Sequence, residues 1–158
     1  MPFAITTARD CREKMEEDLR TFMSAIDNSG HAINAVTSVY HLHEWLWAHV
    51  IKGFAPSHIN GALIRTKKDF VKWLEQNCPH FNLVQDLTNG SKHAYSVQST
   101  GELVKGYGAG PFGIGPFGMS YLLIDMGENA SGERYLVASD VVCEAAEFMS
   151  ALAQRYGA

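Results

Sequence analysis

The stretch that decides the fold is Tyr121–Tyr156, YLLIDMGENASGERYLVASDVVCEAAEFMSALAQRY. Its first half alternates with a period near 2, and its second half recurs near 3.6, so two kinds of element meet within 36 residues. Tyr121–Met126 and Arg134–Ala138 predict a β-hairpin across the loop 127–133. Ser139 is expected to cap a last helix whose stripe is Val141, Ala145, Phe148, Leu152 and Tyr156.

A matching stripe stands at the other end of the chain. Met15, Leu19, Phe22 and Ile26 predict a helix over Thr7–Asp27, opened by Thr7 with Asp10 three residues on and stopped by Asn28-Ser29-Gly30. The two stripes are expected to pack on each other. Between them, Val36, Val39, Tyr40, Leu42, Leu46, Trp47 and Val50 predict a helix over His31–Lys52 closed by Gly53. Being apolar on more than one side, it should lie centrally.

The segment 54–65 shows neither period and reads as a loop. Thr66 predicts the cap of a short helix with Phe70, Trp73 and Leu74 inward, ended by Pro79, which also suits the first turn of the next helix. That helix carries Phe81, Val84 and Leu87 as far as His93, and Tyr95–Ser99 is a candidate third strand. The fold class is therefore mainly α: one domain over 1–158, a four- to five-helix bundle, with a β insertion over 94–138 before the C-terminal helix.

Composition supports a single packed domain, with 46% hydrophobic and 19% charged residues in 158. Cys11, Cys78 and Cys143 are odd in number and scattered, which predicts reduced thiols, with no disulfide framework. Arg9 and Asp10 precede any apolar run, so neither signal peptide nor membrane anchor is expected and the assignment is cytoplasmic. A net charge of −4 disfavours nucleic-acid binding over the whole surface. Arg65, Lys67, Lys68 and Lys72 with Asp69 nevertheless make a local +3. A solvated helix start explains such a run in general; a phosphate-facing patch is the functional alternative.

Three further clusters carry potential chemistry. His41, His43, Glu44 and His49 crowd one helix, and His41 with Glu44, joined by Asp86 and His93 from the later helix, would form a divalent-metal or acid–base site. No cofactor is required by the pattern, since neither H-E-x-x-H nor Glu-x-x-His is present. The loop 106–118, GYGAGPFGIGPFG, repeats the unit GPFG; Phe112 and Phe117 on it are candidate anchors for a protein partner. Its G-x-G-x-x-G spacing lacks the strand-to-helix context of a dinucleotide site. The third cluster is Asp86-Leu87-Thr88-Asn89-Gly90-Ser91-Lys92-His93, expected to face the central helix so that Asp86 or His93 reaches Tyr40, His41, Glu44 or Trp45.

The order of a long helix, a tryptophan- and histidine-bearing helix and then the 86–93 cluster resembles a group of small bacterial and phage-type proteins, and more distantly the HEPN superfamily of helical bundles. The resemblance covers the first 93 residues and the last helix in outline. It implies a homodimer acting on RNA or a nucleotide in a bacterial defence or stress system. In that family an arginine and a polar residue precede a histidine; here His93, Asn89 and Thr88 take the histidine, polar and arginine places, with Asp86 beside them. Threonine supplies no guanidinium clamp for a scissile phosphate. The expectation is a binding or regulatory domain without efficient nuclease activity, its contacts made by Lys67, Lys68, Lys72 and Lys92.

Overall fold

The computed structural model describes residues 4–93, 100–104, 114–116 and 118–158, with the side chains at 91–93 and 100–104 outside that description. The chain is a mainly helical bundle with a small antiparallel sheet before its last helix. α1 spans Ala8–Ser24, and Thr7 and Asp10 form the expected capping box. The helix ends earlier than Asp27, and Asn28 caps the next helix instead of only stopping the first.

α2 begins at Ser29 and runs to Leu46. It continues as a π turn, Trp47–Ile51, and a final helical turn α3, Lys52–Phe54. Gly53 therefore lies within the helical run and does not close it. The extra residue in the π turn directs Ile51 fully into the core, while Trp47 stacks on Phe70 at 6.2 Å.

Residues 54–65 are not the predicted loop. Ser57–Ile59 (β1) and Ala62–Ile64 (β2) form a tight hairpin. Asn60 at φ 48° and Gly61 at φ 85° make its two-residue turn. Ile59 and Ile64 are buried beneath it.

α4, Lys67–Asn77, starts from the Thr66–Asp69 capping box and buries Phe70, Trp73 and Leu74 as expected. α5, Phe81–His93, follows a turn in which His80 adopts φ 60°; Pro79 precedes the helix and does not occupy its first turn.

β3, Thr100–Val104, and β5, Tyr135–Val137, flank β4, Tyr121–Asp125. The third strand thus lies just after Tyr95–Ser99, a segment outside the described residues. α6, Ala138–Arg155, opens from Val137 with no side-chain cap; Ser139 is buried inside it, which corrects its expected capping role.

α2 touches α1, α5 and α6, and α1 packs directly on α6, so the central helix and the pairing of terminal stripes both hold. Met15, Phe22, Leu42, Leu46, Phe70, Phe81 and Met149 are fully buried in one core. Tyr121, Leu123 and Val137 form a smaller cluster, which Ile26 joins to the main one by packing against both. Cys11 and Cys78 serve as core residues, their thiols pushed up to about 11 and about 12 by burial. Among the described residues no helix is long and apolar enough to cross a membrane.

Candidate functional site

The 41–49 stretch, the end of α2 and the start of its π turn, places its three histidines in three different environments. His41 Nδ1 donates to Glu44 Oε2 at 2.8 Å, one turn along the same helix. Lys67, at the start of α4, donates to the other carboxylate oxygen at 3.3 Å. Burial would push Glu44 up, yet the two hydrogen bonds outweigh it and hold its carboxyl below the ordinary range. Both oxygens are therefore committed to cations or donors within the protein.

His43 points the other way and is 2% exposed. Its Nδ1–H donates to the Tyr40 carbonyl, and its ring meets Phe81 edge-on at 5.4 Å and Tyr40 at 4.7 Å. Burial pushes its pKa down, so it is a neutral core histidine near neutral pH. His49 is exposed, and its ring stacks on Trp45 at 4.7 Å and 12°.

α5 does lie against α2, but by a different residue than expected. Gln85 Nε2 donates to the Tyr40 hydroxyl at 3.4 Å, whereas Asp86 is exposed and forms no hydrogen bond or ion pair with a described residue. One helical step turns the side chain by about 100°, and that step separates the two. Asn89 is also exposed, and Thr88 is 0% exposed. An arginine at Thr88 would have to bury its guanidinium in the core. The side chains of Lys92 and His93, and Phe112 and Phe117 altogether, lie outside the described residues. Of the four candidate metal ligands, the described structure brings together His41 and Glu44 only; among the described residues no three His, Cys, Asp or Glu side chains converge as a metal site.

Lys68 and Lys72 are exposed one turn apart on α4 and form no ion pair with a described residue. Arg65 is exposed just before them. Asp69, the acid within this run, accepts the backbone N–H groups of Arg65 and Thr66, both at 3.0 Å. It is spent on the helix cap.

Two features were missed from the sequence. Lys14, Asp18 and Ser38 form a network joining α1 to α2, in which Lys14 donates to Ser38 Oγ at 3.1 Å and Ser38 donates to Asp18. A serine beside a lysine suggests a nucleophile, but Lys14 is already paired with Asp18 on the same helix, so this is a helix-to-helix tie. The second is a groove of about 580 Å³ between β5, α6 and the turn before α5, lined by His80, Glu133, Arg134, Tyr135, Asp140 and Glu144 among others. His80 Nε2 lies 2.9 Å from Glu144 Oε2. Ile114 and Gly115 close one side, where the Tyr121 hydroxyl donates to the Ile114 carbonyl at 2.8 Å. A Cβ on Gly115 would fall 2.4 Å from the Tyr121 ring, which accounts for this glycine of the GPFG repeat. The i,i+4 spacing of Lys14 and Asp18 is local, but nothing local announces Ser38 or the groove, since these draw on separate elements.

Compared with family models, curated proteins and solved structures, the chain finds no match.

Proposed function

We propose that the chain is a HEPN-like helical domain that binds RNA or nucleotide phosphates without efficient cleavage, as a homodimer in the cytoplasm of a bacterium, in a defence or stress system. The family, the dimer and the setting rest on the sequence resemblance. The binding reading is carried by one observation: Lys68 and Lys72 stand exposed and unpaired by described acids on one helix face, while the acid within the run is consumed by its own cap. Such a face attracts phosphate through counterion release even on a chain of net charge −4. Weak or absent cleavage follows from buried Thr88 standing in the arginine place, so no guanidinium is available there to hold developing phosphate charge.

The test is fluorescence anisotropy with labelled RNA at low and physiological salt, paired with a cleavage assay on the same RNA. Binding should weaken steeply with salt, the double variant Lys68→Gln, Lys72→Gln should bind more weakly and with a shallower salt slope, and the RNA should remain intact. Salt-insensitive binding, or brisk cleavage abolished by His93→Ala, would overturn the reading.

A further inference from the structure

The groove between β5, α6 and the turn before α5 has one wall made by consecutive residues, 133–137. Within it the side chains of β5 alternate between the two faces of the sheet: Leu136 packs against the main core, and Tyr135 and Val137 belong to the smaller cluster. Residues from both faces share one groove only where it runs along the edge of the strand. β4 pairs with β5 on one side, and among the described strands β5 ends the sheet, so the groove follows the free edge. The Met126 N–H donates to the Arg134 carbonyl on the β4 side. Backbone groups of an antiparallel strand face its partner at every second residue, so Leu136 turns to β4 and Tyr135 turns away. The Tyr135 N–H and C=O therefore point along the free edge, and neither bonds to a described residue. Such an edge is a ready template for pairing with another chain.

The charge around that edge is one-sided. Glu133 stands just before β5, and Asp140 and Glu144 lie one turn apart on α6. Arg134 donates to both oxygens of Asp125, at 3.0 and 3.1 Å, so its charge is answered within the sheet. His80 Nε2 lies 2.9 Å from one oxygen of Glu144, and the other oxygen has no partner among the described residues. Glu133 and Asp140 form no ion pair with a described residue, although Asp140 also complements the start of α6, which has no side-chain cap. We infer that the groove takes a short, basic, extended segment of a partner protein, which pairs with β5 as an added strand and sets lysine or arginine side chains against Glu133, Asp140 and Glu144. In strand addition the main-chain bonds supply affinity and the flanking side chains supply selectivity. β5 is only three residues long, so charge pairing carries a large share here. The same acids repel phosphate, which makes this surface separate from the α4 lysines.

Anisotropy is measured with a labelled, end-blocked hexapeptide alternating lysine and threonine, with its glutamate–threonine counterpart, and with the lysine peptide methylated at every peptide nitrogen. The lysine peptide should bind and be released by salt, the acidic peptide should not bind, and methylation should abolish binding while leaving every charge in place. The double variant Glu133→Gln, Glu144→Gln should weaken binding about fivefold at low salt. Tyr135→Pro, which removes an edge N–H at a position where strands tolerate proline, should abolish it, and Tyr135→Val should retain it. Circular dichroism shows whether each variant keeps its fold, and the methylated peptide tests the edge on the natural protein even if the proline variant does not. Equal binding of the methylated and unmethylated peptides would overturn strand addition. Binding unchanged in the Glu133→Gln, Glu144→Gln variant, or shared by the acidic peptide, would overturn the basic partner. No binding of the lysine peptide up to about 1 mM would overturn the site as a whole.

Discussion

The seam between α1 and α6 and the seam between α2 and α5 hold the same bundle together with different materials. α1 and α6 meet through apolar stripes, with Met15, Phe22, Ala145 and Met149 at 0% exposed. Polar links stay at the rim: Ser150 donates to Glu16 at 2.6 Å, and Arg9 donates to the Gly157 carbonyl at 3.0 Å. α2 and α5 meet through Tyr40, His43 and Phe81, with Gln85 reaching the Tyr40 hydroxyl and Thr88 buried behind. The interior of the first seam depends on volume alone, because its buried groups are apolar. The second contains a titratable ring and hydrogen-bonding groups, so its stability depends on solution conditions.

Truncation in the first seam should have the largest effect. Phe22→Ala is expected to cost about 3–5 kcal/mol and Leu152→Ala about 2–5 kcal/mol, because each removes buried carbon that the surrounding helices cannot fully replace. Leu19→Ala should cost less than Leu152→Ala, since Leu19 is only half-buried. Urea unfolding followed by circular dichroism measures all three. A cost below about 0.5 kcal/mol for Phe22 or Leu152, the range of surface substitutions, would break the description of this seam as the structural frame.

The interior of the second seam should respond to mild acid through its buried ring, whereas on the side of the first only the α1 cap responds, at lower pH. Burial lowers the pKa of His43 in the fold below the value of about 6.5 that an unfolded histidine has. The unfolded chain therefore binds more protons in the window beneath 6.5, and the contribution of neutral His43 is complete above that pH and lost as pH falls through the folded value. The ring itself faces Tyr40 and Phe81; of the nearby charged groups, Glu44 favours its protonation, and Lys67 and His41 oppose it. His43→Phe, which keeps a ring against Phe81, should flatten the fall of Tm with pH in that window. A second fall, at lower pH, belongs to Asp10, whose carboxyl is held at about 2 by hydrogen bonds from Thr6 and Thr7. Its capping contribution is present above about 4 and lost toward 2. An unchanged pH profile in His43→Phe would remove the distinction between the seams.

The first seam was legible in the sequence, and the second only in outline, for a physical reason. An apolar stripe is a property of one helix, so the spacings of Met15, Leu19, Phe22 and of Val141, Ala145, Leu152 already specify their inward faces. The capping boxes at Thr7 and Thr66 are equally local, and both form. Contacts between elements carry no such record. Lys67 and Glu44 are 23 residues apart, and nothing in either neighbourhood announces their pairing. The β1–β2 hairpin is a different case. Its signal was present in Asn60-Gly61, a dipeptide suited to two positive φ angles, but the strands on either side are only three residues long and too short to show alternation. The π turn left no recognisable mark, because Trp47–Ile51 has the same residue types as the regular helix before it.

The smallest expected effect probes the orientation of α5. With Leu83, Val84 and Thr88 buried, the inward arc of the helix passes Gln85 at its edge and leaves Asp86 outside it. An exposed carboxylate without a described partner has neither a desolvation penalty to offset nor a bond to lose, so Asp86→Asn should change stability by less than about 0.5 kcal/mol. Gln85→Ala removes the long hydrogen bond to Tyr40 and half-buried stem carbon, and it should cost about 0.5–1.5 kcal/mol. The ordering of the two neighbours is the diagnostic quantity, since both variants are read on the same helix by the same urea titration. A larger loss at Asp86 than at Gln85 would mean that α5 is rotated by one residue from the geometry described. The Asp86 carboxylate would then face Tyr40, and the comparison between a dry seam and a polar one would have to be redrawn around a buried charge.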